Sequence, residues 1–282
     1  MALAPLNNGV VFKKLFSDPE IVTAFVYDLI GIKLDIQADN IELEKKFYPP
    51  IGAIDIALDI FIEDPKHRLI IEIQRVRYDY HFDRFLHYHQ AAIVELAKSH
   101  KAYQLDRVVH TIVWLTSKVR EPRYQHSLIT TSLSSITESG EELHLYPHQL
   151  HFLNPYYLNE RTPSGLVDWF QLVIESIINP KTPQINRHNK LIAKAANLIA
   201  DEDLTPQEMV SLLEETGYEE NLRLNREEGL VEGIKKGMEQ GKKAEQLEIA
   251  RAMYREGLEP VLIAKIMGVT VTDVAEWLND NS

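Results

Sequence analysis

Ile54-Asp55-Ile56-Ala57-Leu58-Asp59-Ile60-Phe61-Ile62, followed by Leu69-Ile70-Ile71-Glu72-Ile73-Gln74, is the stretch that decides the fold. In the first segment every even position is a large aliphatic, so strand alternation sends Asp55 and Asp59 to the opposite face together. In the second, Leu69, Ile71 and Ile73 leave Glu72 and Gln74 on the other face by the same parity. The connection Glu63-Asp64-Pro65-Lys66-His67 is short, which predicts a hairpin with Asp59 near Glu72. An ordinary strand with one wet face alternates in the same way, but it accepts any polar residue. Here an acid, a second acid and an amide stand within apolar strands that read as central. Buried like charges repel and persist chiefly when a cation neutralises them. Asp59, Glu72, the Ile73 carbonyl and waters would supply the oxygen ligands of Mg²⁺, with Mn²⁺ as the alternative ion.

Working outward, Ile21, Val22, Phe25, Val26, Leu29 and Ile30 recur at helical spacing behind Ser17-Asp18-Pro19, an N-terminal helix signal. Residues 41–48, 54–62 and 68–75 read as strands, 78–98 as a helix and Arg107–Thr116 as a buried strand. Between Ser117 and Pro163 one further strand is predicted, near His148–Leu153, and Trp169–Ile178 reads as a helix. Alternating helices and strands imply an α/β mixed sheet flanked by helices. Asn179-Pro180-Lys181-Thr182-Pro183 looks like a boundary, and everything from Asn186 onward reads helical. The expected organisation is a domain over 1–178, a linker and first tail helix over 179–205, and an all-α tail over 206–282.

The 282 residues are 45% hydrophobic and 26% charged, a globular composition, and no apolar run reaches the length of a bilayer span. The chain therefore reads as soluble and cytoplasmic, with no membrane partner. Zero Cys excludes disulfide frameworks, thiolate zinc sites and cysteine nucleophiles. A net charge of -12 argues against a polyanion ligand until it is divided along the chain. Residues 1–100 carry 11 Lys+Arg against 15 Asp+Glu, residues 101–200 carry 10 against 8, and residues 201–282 carry 9 against 19. Most of the acidity thus belongs to the tail, and a nucleic-acid substrate remains compatible with the rest. Walker, nucleophile-elbow, dinucleotide and H-E-x-x-H motifs are absent. His81, His87 and His89 lack zinc spacing.

Leu58-Asp59-Ile60-Phe61-Ile62 followed by Ile71-Glu72-Ile73-Gln74, preceded by Phe12-Lys13-Lys14-Leu15-Phe16 and followed by Tyr80, Arg84 and Tyr88, resembles the PD-(D/E)xK transposase-associated, or recombination-promoting, nucleases. The likeness covers roughly residues 10–155, and the Gly-Lys-Glu-rich tail is also similar to family tails. It implies a restriction-endonuclease-like core and a Mg²⁺-dependent DNA endonuclease linked to recombination or mobile elements. In that scheme Asp59, Glu72 and Gln74 are catalytic, and Asp59, Glu72 and Ile73 bind metal. Asp59, rather than its rival Asp55, lies at the family-like distance from Glu72. Glu20 and Asp55 are candidates for an additional acid, although Glu20 also suits the first turn of its helix as a dipole partner. Gln74 departs from the superfamily's usual Lys, and a neutral amide orients water without supplying charge. Two alternatives follow: a catalytically inactive DNA-binding or oligomeric scaffold, and a nuclease acting on RNA or in phage defence.

Arg75, Arg77, Tyr80, Arg84 and Tyr88 are the expected contacts to double-stranded DNA, since Tyr80, Arg84 and Tyr88 are four apart and share a helix face. A solvated amphipathic helix with tyrosines at its margin is the plainer reading of the same pattern. In the tail, Gly229, Gly233, Gly237 and Gly241 fall at a four-residue step, consistent with either a homo-oligomer through the C-terminal helices or a flexible linker. Residues 263–278 resemble a helix-turn-helix, but Asp273 and Glu276 would repel phosphate, which favours a protein-interaction unit over base readout.

Overall fold

Asn8 and Asp18 set the first two helices. The Asn8 carboxamide accepts from the Val10 and Val11 amides and starts α1 (Gly9–Phe16). Asp18 accepts from Glu20 and Ile21 and starts α2 (Pro19–Ile30), which Gly31 closes at φ 73, a left-handed conformation that suits a residue without Cβ. The computed structural model describes residues 1–47, 56–75, 82–98, 105–119, 121–133, 135–143 and 145–279.

After α2 come β1 (Ile41–Phe47), β2 (Ile56–Glu63) and β3 (His67–Gln74), then α3 (Phe82–Lys98) and β4 (Val108–Leu115). Next are β5 (Leu128–Ser132), the small pair β6 (Ser135–Ile136) and β7 (Glu142–Leu143), and β8 (Gln149–Leu153). The helices α4 (Ser164–Ile178), α5 (Lys190–Leu198), α6 (Pro206–Arg255), α7 (Pro260–Met267) and α8 (Val271–Asn279) complete the chain. The main sheet is mixed and six-stranded, in the order β1-β2-β3-β4-β8-β5. β1, β2 and β3 run antiparallel in succession, β4 lies parallel to β3 after the α3 crossover, and β8 lies parallel to β4. β5, in the stretch whose sequence signal is weak, pairs antiparallel with β8 and forms the far edge.

Helices cover both faces of this sheet. On one, Phe12 and Leu15 of α1, Phe25 of α2, Trp169 and Phe170 of α4 and Ala195 of α5 pack with Ile60, Ile71 and Trp114. On the other, Phe85, Ala92 and Leu96 of α3 pack against Phe61, Ile70, Val109 and Val113. Central strands buried on both sides read as continuous apolar runs rather than alternating ones, which is why β3 and β4 are almost wholly buried.

The compact first unit runs from Met1 to Glu215, which corrects the expected boundary at 178 and the linker over 179–205. Ile192, Ala195, Ala196 and Ile199 are fully buried in its core. The Leu3 and Ala4 amides donate to the Pro180 and Ile199 carbonyls, tying the N-terminus to the same segment. The start of α6 is also fastened here. Lys14 pairs with Glu208 at 2.7 Å, and Leu212 packs against the core.

The second unit, Thr216–Ser282, holds a small core of Ala250, Ile263, Ala264 and Val274, with Met253, Met267 and Trp277 packed around it. Gly268 closes α7 at φ 66 and allows the turn into α8. The helix α6 runs unbroken through the four-step glycines, despite a cost of about 1 kcal/mol for each relative to Ala. No helix among the described residues is long and apolar enough to cross a membrane.

Candidate metal-dependent active site

Asp59 and Glu72 meet where β2 and β3 stop behaving as an ordinary ladder. The register pairs Ile60 with Ile71 and Phe61 with Ile70, and at the next level side chains bond to the opposite backbone. The Asp59 amide donates to Glu72 Oε1 at 2.9 Å, and the Ile73 amide donates to Asp59 Oδ2 at 3.0 Å. Each carboxylate is therefore fixed by the opposite strand, and each keeps a second oxygen for another partner.

The strand also changes face at this point, contrary to the expected run of even-numbered aliphatics. Ile60 and Ile62 pack in the core with α1, α2 and α4, whereas Ile56 and Leu58 pack with Phe61 and Ile70 on the α3 side. β1 answers at the same level. Leu43 faces Ile60 and Lys45 faces Leu58, and Glu44 between them has φ 55. That left-handed conformation costs a non-glycine residue about 1 kcal/mol or more, and such strain gathers at functional sites. Its result is visible in the side chains: Glu44 Oε1 holds Lys13 Nζ at 2.7 Å, and the same ammonium lies 3.9 Å from Asp59 Oδ1. Neither Lys13 nor Glu44 was marked by sequence spacing, because one lies on a helix and the other on a neighbouring strand.

Glu72 is buried, at 3% exposure. Burial first, and the Asp59 charge second, push its carboxyl up to about 8, against smaller lowering contributions from the Asp59 amide, Arg84 and Lys13. Such a pair stores unfavourable electrostatics that a cation would relieve. Among the described residues no three of His, Cys, Asp and Glu converge as a ready-made metal cage. The donor chemistry nevertheless fits a hard divalent ion that keeps most of its waters and takes one or two carboxylates. The Ile73 amide points to the Asp59 side, and the carbonyl of a strand residue opens on the same side as its amide. The Asp59 and Glu72 carboxylates and the Ile73 backbone thus meet at one level of two adjacent strands.

No protein-family model, curated protein or solved structure matches the chain.

Gln74 is the next residue on the α3 side. Arg84 Nη2 donates to its Oε1 at 2.6 Å. A guanidinium only donates, so the carboxamide is turned with its oxygen toward Arg84 and its NH₂ as the other end. Arg84 also stands over the Phe85 ring at 4.6 Å and the Tyr88 ring at 5.7 Å. Tyr88 is half-buried against both α3-side clusters, edge-on to Phe85. Its hydroxyl is held above the ordinary range chiefly by burial, with Arg84 opposing and the Glu72 and Asp59 charges adding to the rise.

The remaining site expectations divide. Arg75 forms an ion pair with Glu215 of α6, whose carboxylate also accepts from the Gly9 amide at 3.1 Å, so it is engaged within the unit rather than presented to a ligand. Glu20 is exposed and pairs with Lys194 of α5 at 2.7 Å, the role of a helix-terminal carboxylate rather than that of an additional site acid. Glu44, rather than Glu20, is linked to Asp59, through Lys13. Asp55, Arg77 and Tyr80 lie outside the described residues.

Proposed function

We propose that the chain is a divalent-metal-dependent endonuclease that hydrolyses phosphodiester bonds in DNA, with a restriction-endonuclease-like core. The observation that carries this reading is the reciprocal Asp59–Glu72 pair, locked across two adjacent strands at the end of a mixed sheet, with the Ile73 carbonyl and Gln74 beside it. The order of an antiparallel β1-β2-β3 meander, an α3 crossover and a parallel β4 agrees with the core that the motif resemblance implies.

Asp59 and Glu72 would hold the ion, Mg²⁺ or Mn²⁺, through the oxygens that the strand amides leave over. When bound, the metal supplies Lewis-acid polarisation of the phosphate and a more acidic water. The Gln74 carboxamide, braced by Arg84, stands beside the pair, where a neutral amide can orient the attacking water. The water oxygen forms a bond to phosphorus and gives up a proton to solvent, the P–O3′ bond breaks with its electron pair on O3′, and O3′ takes a proton from solvent. The products are a 5′-phosphate and a 3′-hydroxyl.

Duplex DNA, single-stranded DNA and RNA of one sequence, incubated with Mg²⁺ or with EDTA, test this assignment. Mg²⁺-dependent cuts in duplex DNA that leave 5′-phosphates are expected. Preferential cutting of RNA would change the substrate class. DNA binding without cutting in either Mg²⁺ or Mn²⁺ would favour the inactive scaffold, for which the neutral Gln74 is the specific motive.

A further inference from the structure

We infer that Lys13 supplies the positive charge that Gln74 lacks, standing on the opposite flank of the acidic pair and acting on the phosphate during cleavage. This rests on the nuclease reading and deepens it.

The placement of Lys13 is built rather than incidental. It projects from α1, whose start is capped by Asn8 and whose Phe12, Leu15 and Phe16 are buried in the core. The backbone of this lysine therefore has little freedom. Its side chain is 21% exposed, and Glu44 anchors the ammonium at 2.7 Å from a strained backbone position. The contact with Asp59 is longer, at 3.9 Å, an electrostatic contact rather than a closed hydrogen bond. An ammonium has three donors and no acceptor, and Glu44 takes one of them, so the group can engage a third oxygen while facing the metal-binding acid. On the other side of the pair, Arg84 already spends its near nitrogen on the Gln74 oxygen, and the amide it braces carries no charge.

Hydrolysis needs a charge at this place. As the water oxygen bonds to phosphorus and the P–O3′ bond lengthens, negative charge grows on the non-bridging phosphate oxygens before O3′ takes its proton. A fixed cation beside Asp59 stabilises that charge more than it stabilises the ground-state diester. The same lysine opposes a divalent ion at Asp59 by simple repulsion, so removing it should slow the chemistry without weakening metal binding. A lysine that merely held the site together would instead weaken both.

Full-length wild type, Lys13→Gln, Lys13→Arg and the double variant Lys13→Gln/Gln74→Lys are compared by single-turnover duplex cleavage in Mg²⁺ and by Ca²⁺ titration calorimetry without DNA. Lys13→Gln is expected to lose about 100-fold in cleavage, the scale of one preorganised transition-state donor, with Ca²⁺ affinity unchanged or higher. The double variant, which returns a lysine to the third motif position, is expected to recover at least ten-fold of that loss, and Lys13→Arg to fall between. Cleavage by Lys13→Gln within threefold of wild type would overturn the inference and leave the nuclease reading standing. Parallel loss of Ca²⁺ binding without rescue by Gln74→Lys would overturn it in favour of a structural role. Ca²⁺ binding by a wild type that does not cleave would end the nuclease reading and this inference together.

Discussion

Between pH 6.5 and pH 4 the first unit is expected to lose its fold, and the cause lies outside the acidic site. Five histidines from four places in the chain gather around the other ends of the central strands: His67 of β3, His89 of α3, His110 of β4, His148, and His151 of β8. The His110 and His151 rings stack with centroids 6.0 Å apart, His67 lies 6.3 Å from His110, and His89 lies 6.4 Å from His148. His89 is bonded to Thr111 and His148 accepts from the Val109 amide, while neither ring nitrogen of His110 has a hydrogen-bond partner among the described residues. Among the described residues, only His67 has a carboxylate beside it, Asp64 at 3.1 Å.

Burial, aided by neighbouring histidines, takes His89 and His151 down to about 4 and His110 to about 3; burial alone lowers His148. The sign follows directly. Unfolded histidines take protons as the pH falls below about 6.5, and the folded ones do not until about 4, so the unfolded state is favoured throughout that window. At about 1.4 kcal/mol per unit, each strongly shifted histidine withdraws about 3 kcal/mol by pH 4, against a typical domain stability of roughly 5–15 kcal/mol. Glu72 acts in the opposite sense, because its raised value makes the metal-free fold gain stability as the pH falls from about 8 to about 4.5. Three shifted histidines outweigh one carboxyl below pH 6.5, and Glu72 alone acts above it. The metal-free protein should therefore be most stable near pH 6.5. Circular dichroism followed from pH 8 to pH 4 in EDTA checks the curve. His110→Phe, which keeps the volume and removes the proton site, should move the acid midpoint downward; an unmoved midpoint would contradict the assignment.

Glu72→Gln should produce the other large effect, a stabilisation. Gln keeps an oxygen to accept from the Asp59 amide and has no charge to desolvate, so the cost of protonating Glu72 on folding at pH 7.5 disappears. A gain of about 2–4 kcal/mol is expected in EDTA, or a Tm higher by roughly 5–15 °C for a unit of this size. Mg²⁺ or Ca²⁺ should raise the Tm of wild type and leave the variant nearly unchanged, since ligand binding stabilises only what binds it. Differential scanning fluorimetry with and without cation checks both halves. A variant less stable than wild type in EDTA, or a wild type indifferent to cations, would show that Glu72 is not held as a strained ligand.

Local sequence carries the elements that have a period. Aliphatic alternation locates β2 and β3, their short connection brings Asp59 to Glu72, and the Asp18-Pro19 signal marks the start of α2, whereas its end at Gly31 carries no reading in the sequence. What escaped depends on tertiary context. Parity along β2 breaks at Asp59, where side chains substitute for the ladder, so the even-numbered aliphatics do not share one face. Lys13 and Glu44 join the site only through the packing of α1 against β2 and the distortion of β1, and the histidine cluster has no spacing at all because β3, α3, β4 and β8 each contribute separately. The Pro-rich stretch at 179–183 suggested a linker, yet the short helix behind it places Ile192 and Ala195 in the core. Punctuation marks where a helix ends, not whether the next one docks.

Supercoiled-plasmid nicking with wild type and Glu72→Gln, each in Mg²⁺ and in EDTA and at protein concentrations matched by folded fraction, tests the metal-binding pair. Because the variant should be at least as stable as wild type, loss of activity in it cannot be ascribed to unfolding. Nicking by wild type in Mg²⁺ alone, with the variant slower by at least about 1,000-fold, is the predicted result. Equal nicking by the variant, or a wild type that binds the plasmid and leaves it intact, would contradict the assignment of Asp59 and Glu72 as the metal-binding pair of a nuclease.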